Sequence, residues 1–137
     1  MNLLLKLLRF NNFGLLILRL GIGIIFIEHG MLKWGTWGMQ PSEQLQPSML
    51  MTLRILSVAE PLGGLAMILG LWTLPAGIGM AVVMIAVISM KINVTHVGFI
   101  AFQTTGWELD FLVLCSVLSI IFTGPGRFSV ERLLSKE

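Results

Sequence analysis

Residues 13–34, FGLLILRLGIGIIFIEHGMLKW, form an apolar run long enough to cross a bilayer, yet it carries Arg19, Glu28 and His29, with Lys33 at its end. A spanning helix needs about 20 mostly apolar residues. A charge near the bilayer centre costs about 2.5–3.5 kcal/mol even on a lenient insertion scale, so such groups face protein or a wet cavity and find partners there. Three further apolar segments follow, each close to one bilayer thickness at about 1.5 Å rise per residue. Their continuous apolarity excludes a membrane β-barrel, whose strands alternate apolar and polar residues. The pattern predicts an all-α, integral membrane four-helix bundle with helices over about 13–33, 50–72, 76–93 and 106–123, and a single transmembrane domain over residues 1–137.

Composition agrees. Charged residues make up 12% of the 137-residue chain, half the roughly 25% of a soluble domain, and mean hydropathy is +0.90. The net charge of +2 comes from scattered basic residues. That small excess reads as topological and gives no sign of nucleic-acid binding. Cys115 is the sole cysteine, which excludes an internal disulfide or a self-sufficient dithiol enzyme. Within an apolar run it reads as a small buried hydrophobe. The opening MNLLLKLLRF resembles a signal peptide, but the apolar run that follows is too long and lacks a small-x-small cleavage site. It predicts an uncleaved first helix, with residues 2–10 as a short interfacial helix carrying Lys6 and Arg9.

The connections order the helices. Residues 35–49 are polar and broken by Pro41 and Pro47, Thr73-Leu74-Pro75 predicts a tight turn, and residues 94–105 form a loop containing His96. Gly124-Pro125-Gly126 stops the last helix. Lys6, Arg9, Arg127, Arg132 and Lys136 fall on one side, against Lys33, Arg54 and Lys91 on the other. The positive-inside rule then predicts both termini in the cytoplasm.

With that topology, Glu28, His29, Lys33, Arg54, Glu60, Lys91, Glu108 and Asp110 gather in the outer leaflet, with His96 just beyond. Ion pairs and hydrogen bonds among them would lower their burial cost. Arg19 stands about 14 Å along the axis from Glu28, and on another azimuth. Its partner is a set of backbone carbonyls, a polar group on another helix, or a ligand. Gly63 and Gly64 follow Glu60 by three and four residues, placing this carboxylate at a tight helix contact or a narrow cleft.

Two chemistries suit this group. Imidazole with carboxylate binds iron, zinc or manganese, with His29, Glu60, His96 and Glu108 as the weak metal candidates, but the Glu-x-x-His signature of di-iron bundles is missing. The cluster Glu28, His29, Lys33, Glu60, His96 and Glu108 better suits ligand binding and proton exchange with a quinone head group, histidine being the mid-pH relay. Arg19 would stabilise an anionic or quinone ligand. A structural polar network that fixes helix register is the competing reading. Trp107 reads as an interfacial belt residue rather than a stacking platform.

The residues resemble the DoxX family of small four-helix membrane proteins. The matching pieces are Arg19 with Gly21 and Gly23, Phe26, His29-Gly30 and Lys33, then Glu60 with Gly63-Gly64 and Leu69-Gly70. His96, Gly106-x-Glu108, Gly124-Pro125-Gly126 and Ser129 follow in order. Where members often have Ser-Leu-Asp near the C-terminus, this chain has Ser129-Val130-Glu131. The resemblance implies a multi-pass protein of the bacterial inner membrane. It also implies a link to redox chemistry: some relatives are the membrane subunit of a thiosulfate:quinone oxidoreductase, and others are tied to oxidative-stress defence or quinone-related detoxification.

The expectation is therefore a membrane subunit of an oxidoreductase system, handling quinone or a small reductant at an outer-leaflet site. Since the chain has no haem, flavin or dithiol motif, any electron carrier would be quinone, metal or a partner's cofactor. The alternatives are a non-enzymatic anchor or assembly partner of a membrane or periplasmic redox protein, and a small transporter formed as a homo-oligomer.

Overall fold

The computed structural model describes residues 11–135, and every regular element among them is helical. Helix α1 is Asn11–Leu32, continued by a 3-10 turn over Lys33–Gly38. Helices α2, Pro47–Leu69, α3, Thr73–Asn93, α4, Glu108–Thr123, and the short α5, Val130–Leu134, complete the chain. The expected interfacial helix at residues 2–10, with Lys6 and Arg9, lies outside the described residues, as does Lys136.

Asn12–Gly38, Pro47–Leu69 and Thr73–Asn93 are long and apolar enough to cross a membrane. The protein is a multi-pass membrane protein. Helix α4 has 16 residues, about 24 Å at the usual rise, and falls short of the roughly 30 Å hydrocarbon core. Large apolar side chains such as Ile17, Leu62, Val82 and Phe122 point outward, as bilayer contact requires. Cys115, expected to be buried, is exposed. The exposed face of a membrane helix is as apolar an environment as a core, so hydropathy could not separate the two.

Helices α1 and α2 pair closely, as do α3 and α4, while contact across the pairs is sparser. The reason for the first seam is small residues. A Cβ at Gly64 would fall 2.6 Å from the Gly23 carbonyl oxygen, and one at Gly30 would strike the Pro61 ring. Such absences of side chain let backbones approach where lipid gives no hydrophobic drive. Phe26, Met67, Met80, Val113, Val117 and Ile120 are the main members of the buried apolar core shared by the four helices.

Helix α2 begins and ends three residues before its sequence-predicted limits. Pro47 opens it in the first turn, where a missing N–H costs nothing. Gly70 closes it with φ of 66°. Leu71 N donates to Ala66 O at 2.9 Å and Gly70 N to Met67 O at 3.2 Å, the pairing of a Schellman cap. The turn is therefore Gly70–Trp72, and Thr73-Leu74-Pro75, predicted as the turn, is the first turn of α3. Proline is tolerated there because the first N–H groups have no helical partner.

Candidate functional site

Two polar stations lie at opposite ends of the bundle. The first is built on Arg19, 1% exposed. Its Nε donates to Met67 O and its Nη2 to Ile68 O, both at 2.9 Å, and its Nη1 donates to Pro125 O. Of the three alternatives, the partner is backbone carbonyls. Ile68 is in the last turn of α2, whose carbonyls lack helical partners and carry the negative end of the helix dipole. One guanidinium thus completes the cap of α2 and holds the C-terminal tail. The tail is also tied by Glu131, whose Oε2 accepts from Thr73 Oγ1 at 2.6 Å and Thr73 N at 3.3 Å. Asn12 Oδ1 accepts from Arg127 N at 2.9 Å.

The second station is a cleft of about 540 Å³ between the two helix pairs. Its walls are apolar, with Phe26, Leu53, Leu56, Val87 and Val113 among them. Two ion pairs and a histidine also line it. Lys33 Nζ meets Glu60 Oε2 at 2.5 Å and donates to His29 O at 2.9 Å. Lys91 Nζ meets Asp110 Oδ2 at 2.6 Å and donates to Gly106 O at 3.1 Å. The Glu60 side chain is 5% exposed and that of Lys33 19%. Each pair is internal to one hairpin: Lys33–Glu60 joins α1's extension to α2, and Lys91–Asp110 joins α3 to α4.

The cleft therefore gathers His29, Lys33 and Glu60 of the expected cluster. Glu28 is exposed and is not among the cleft residues. His96 is exposed in the loop after α3, with φ of 50°. Glu108 also lies off the cleft, its Oε2 buried without a hydrogen-bond partner among the described residues. The acid that α4 presents is Asp110, since residues two apart on a helix do not share a face. Lys91 and Asp110 entered the sequence argument as charge balance and were missed as site residues. Their signal was position, a cation ending α3 and an anion opening α4 in one hairpin. Among the described residues Arg54 pairs with no carboxylate: it donates to Thr36 O and Met39 O and lies 5.8 Å over the Trp37 ring. Trp107 packs edge-to-face on Phe99, centroids 4.5 Å apart, and on Phe111 at 6.2 Å.

Chemically, the cleft offers two ammonium donors, two carboxylates able to accept protons and one imidazole, on an apolar floor. Its volume lies within the roughly 300–1,000 Å³ of small-molecule sites, which are mostly apolar with a few placed polar groups. Among the described residues, no three His, Cys, Asp or Glu side chains converge as a metal site would require.

The sequence model of the DoxX family matches residues 14–96, more than half of the chain. That stretch takes in nearly all of α1 and the whole of α2 and α3, and ends at His96, so Gly106-x-Glu108, Gly124-Pro125-Gly126 and Ser129 lie beyond it. No curated protein matches the chain, and no solved structure does.

Proposed function

The chain belongs to the DoxX family, and from that premise we propose that it is the membrane subunit of an oxidoreductase system of the bacterial inner membrane, binding a quinone head group in the cleft between its helix pairs. The observation that carries this reading is the pairing of apolar walls with the Lys33–Glu60 and Lys91–Asp110 ion pairs in one cavity. A flat ring with carbonyl oxygens needs apolar contact for the ring and hydrogen-bond donors for the oxygens. Lys33 and Lys91 are those donors, each held in place by a carboxylate and a backbone carbonyl. Glu60 and Asp110 are the acids that pass protons, with His29 beside Lys33 as the relay to the aqueous end. A quinone bound there takes up two protons as it receives two electrons, and the electrons come from the redox centre of a partner protein.

The test is direct. Protein purified in mild detergent is extracted for quinone, and binding of a water-soluble short-chain quinone is followed by calorimetry. Lys33→Ala and Glu60→Gln should each weaken binding at least about tenfold, which corresponds to roughly 1.4 kcal/mol. An extract without quinone together with no measurable binding refutes the reading. Stable co-purification of a second subunit would then favour the anchoring role.

A further inference from the structure

Glu60 borders more than the cleft. A second cavity of about 300 Å³ runs along the seam of α2 and α3, and Phe26, Glu60 and Val83 line both cavities. From Glu60 it continues past Gly63 on α2 and past Gly79 and Ala76 to Pro75 on α3. Eight residues separate Val83 from Pro75, about 12 Å at the helical rise. This stretch leads away from the ion pairs toward the opposite end of the bundle. Among the described residues, those lining it besides Glu60 are apolar or small: Phe26, Val83, Met80, Ala59, Gly63 and Gly79 are examples. There is room in it. A Cβ at Gly79 would meet nothing within 4 Å, and one at Gly63 only Met80 Cε at 3.4 Å. Ala59, Pro75 and Gly79 are exposed on the membrane-embedded surface, so the groove is open along its side to lipid.

We infer that this groove holds the aliphatic tail of the cleft's ligand, so that the substrate is a tailed, membrane-resident quinone that enters sideways from the bilayer. The inference rests on the quinone reading of the cleft and adds the substrate class and its route. Two features select a tail over other occupants. The groove abuts the charged cleft, with Phe26, Glu60 and Val83 in the walls of both, so a head group in the cleft and its tail in the groove would lie side by side. Among the described residues its lining also holds no cationic side chain, the group that would grip a separately bound phospholipid by its headgroup phosphate. The tail then binds by apolar burial alone, and chain length rather than ring chemistry sets that part of the affinity.

The experiment compares two probes, a benzoquinone without a side chain and the same ring carrying a decyl chain, on purified protein in one detergent. Gly79→Leu fills the groove at a site where the added side chain meets open space. Gly21→Leu, where a Cβ also meets nothing within 4 Å, is the control on α1 and cancels differences in micelle partitioning. Gly79→Leu should weaken decyl-quinone binding about tenfold or more and leave the ring-only probe unchanged, with Gly21→Leu altering neither. If Gly79→Leu leaves both probes unchanged while Glu60→Gln weakens both, the groove inference is overturned and the head-group reading stands. If neither probe binds the unaltered protein, both fall together. A phospholipid retained by the unaltered protein and lost in Gly79→Leu by native mass spectrometry, with decyl-quinone binding unaffected, assigns the groove to bilayer lipid and also overturns the inference.

Discussion

Arg19 sets the energetic case at the level of single residues. Its three donors go to backbone carbonyls of two different chain segments, Met67 and Ile68 on one side and Pro125 on the other. A hydrogen bond to a charged group contributes about 1.5–3 kcal/mol, and acceptors left buried without a donor cost more than the mean. Arg19→Ala should therefore lower stability by at least about 3 kcal/mol, read as a fall in the detergent melting temperature with early proteolysis of residues 124–135. Arg19→Lys keeps the charge but not the planar fork, and should recover less than half of the loss. An Arg19→Ala protein that melts like the original would show that the tail is held by other contacts. The isolation of Arg19 was legible in the sequence, since its neighbours for several residues are apolar. Its partners were not, because carbonyls are present at every residue and only the fold selects three of them.

At the scale of elements, hydropathy and punctuation gave different limits for α2, and punctuation decided. Apolar character runs from Leu50 to Trp72, but Pro47 and Gly70 govern what the backbone can do. The helix existed on either reading, and its ends followed the capping residues. Gly70 makes this testable. Its φ of 66° would cost a residue with a side chain about 1–3 kcal/mol, and a Cβ would also sit 2.7 Å from Arg19 Cζ. Gly70→Ala should thus cost more than the conformational term alone, in thermal unfolding monitored by circular dichroism. Asn tolerates the left-handed region better than other residues, so Gly70→Asn should recover only that conformational part. Full recovery by Asn would mean that the guanidinium and Ser129 both move aside freely. The same seam logic applies at Gly64, where a side chain would push into the Gly23 carbonyl. Gly64→Val should cost about 1–3 kcal/mol as an overpacked contact, against a near-neutral Gly14→Ala, where a Cβ meets nothing within 4 Å.

The whole molecule is two hairpins that share a core and enclose a cleft, and this arrangement explains what the sequence could and could not show about the site. The gathering of ionisable groups at one end was legible from depth along the helices. Which of them face inward was not, because that depends on how each helix is rotated in the bundle. Neighbours such as Glu28 and His29 end on different surfaces, and Asp110 replaces Glu108. The hairpin organisation makes a prediction that separates structural from functional roles of the ion pairs. Lys33–Glu60 stays within one hairpin and Lys91–Asp110 within the other, with no shared partner among the described residues. Sites without shared partners add in stability to within about 0.5 kcal/mol. Glu60→Gln and Asp110→Asn should accordingly combine additively in thermal or denaturant unfolding. Both pairs nevertheless face one cavity, so a ligand that touches both couples them. In quinone affinity the double variant should depart from the sum of the singles by about 0.5–3 kcal/mol, the range for residues joined through a common partner. Additivity in both measurements would mean that no single ligand spans the cleft. Coupling in stability alone would make the two pairs parts of one structural network, with register of the helices rather than ligand binding as the reason for their charges.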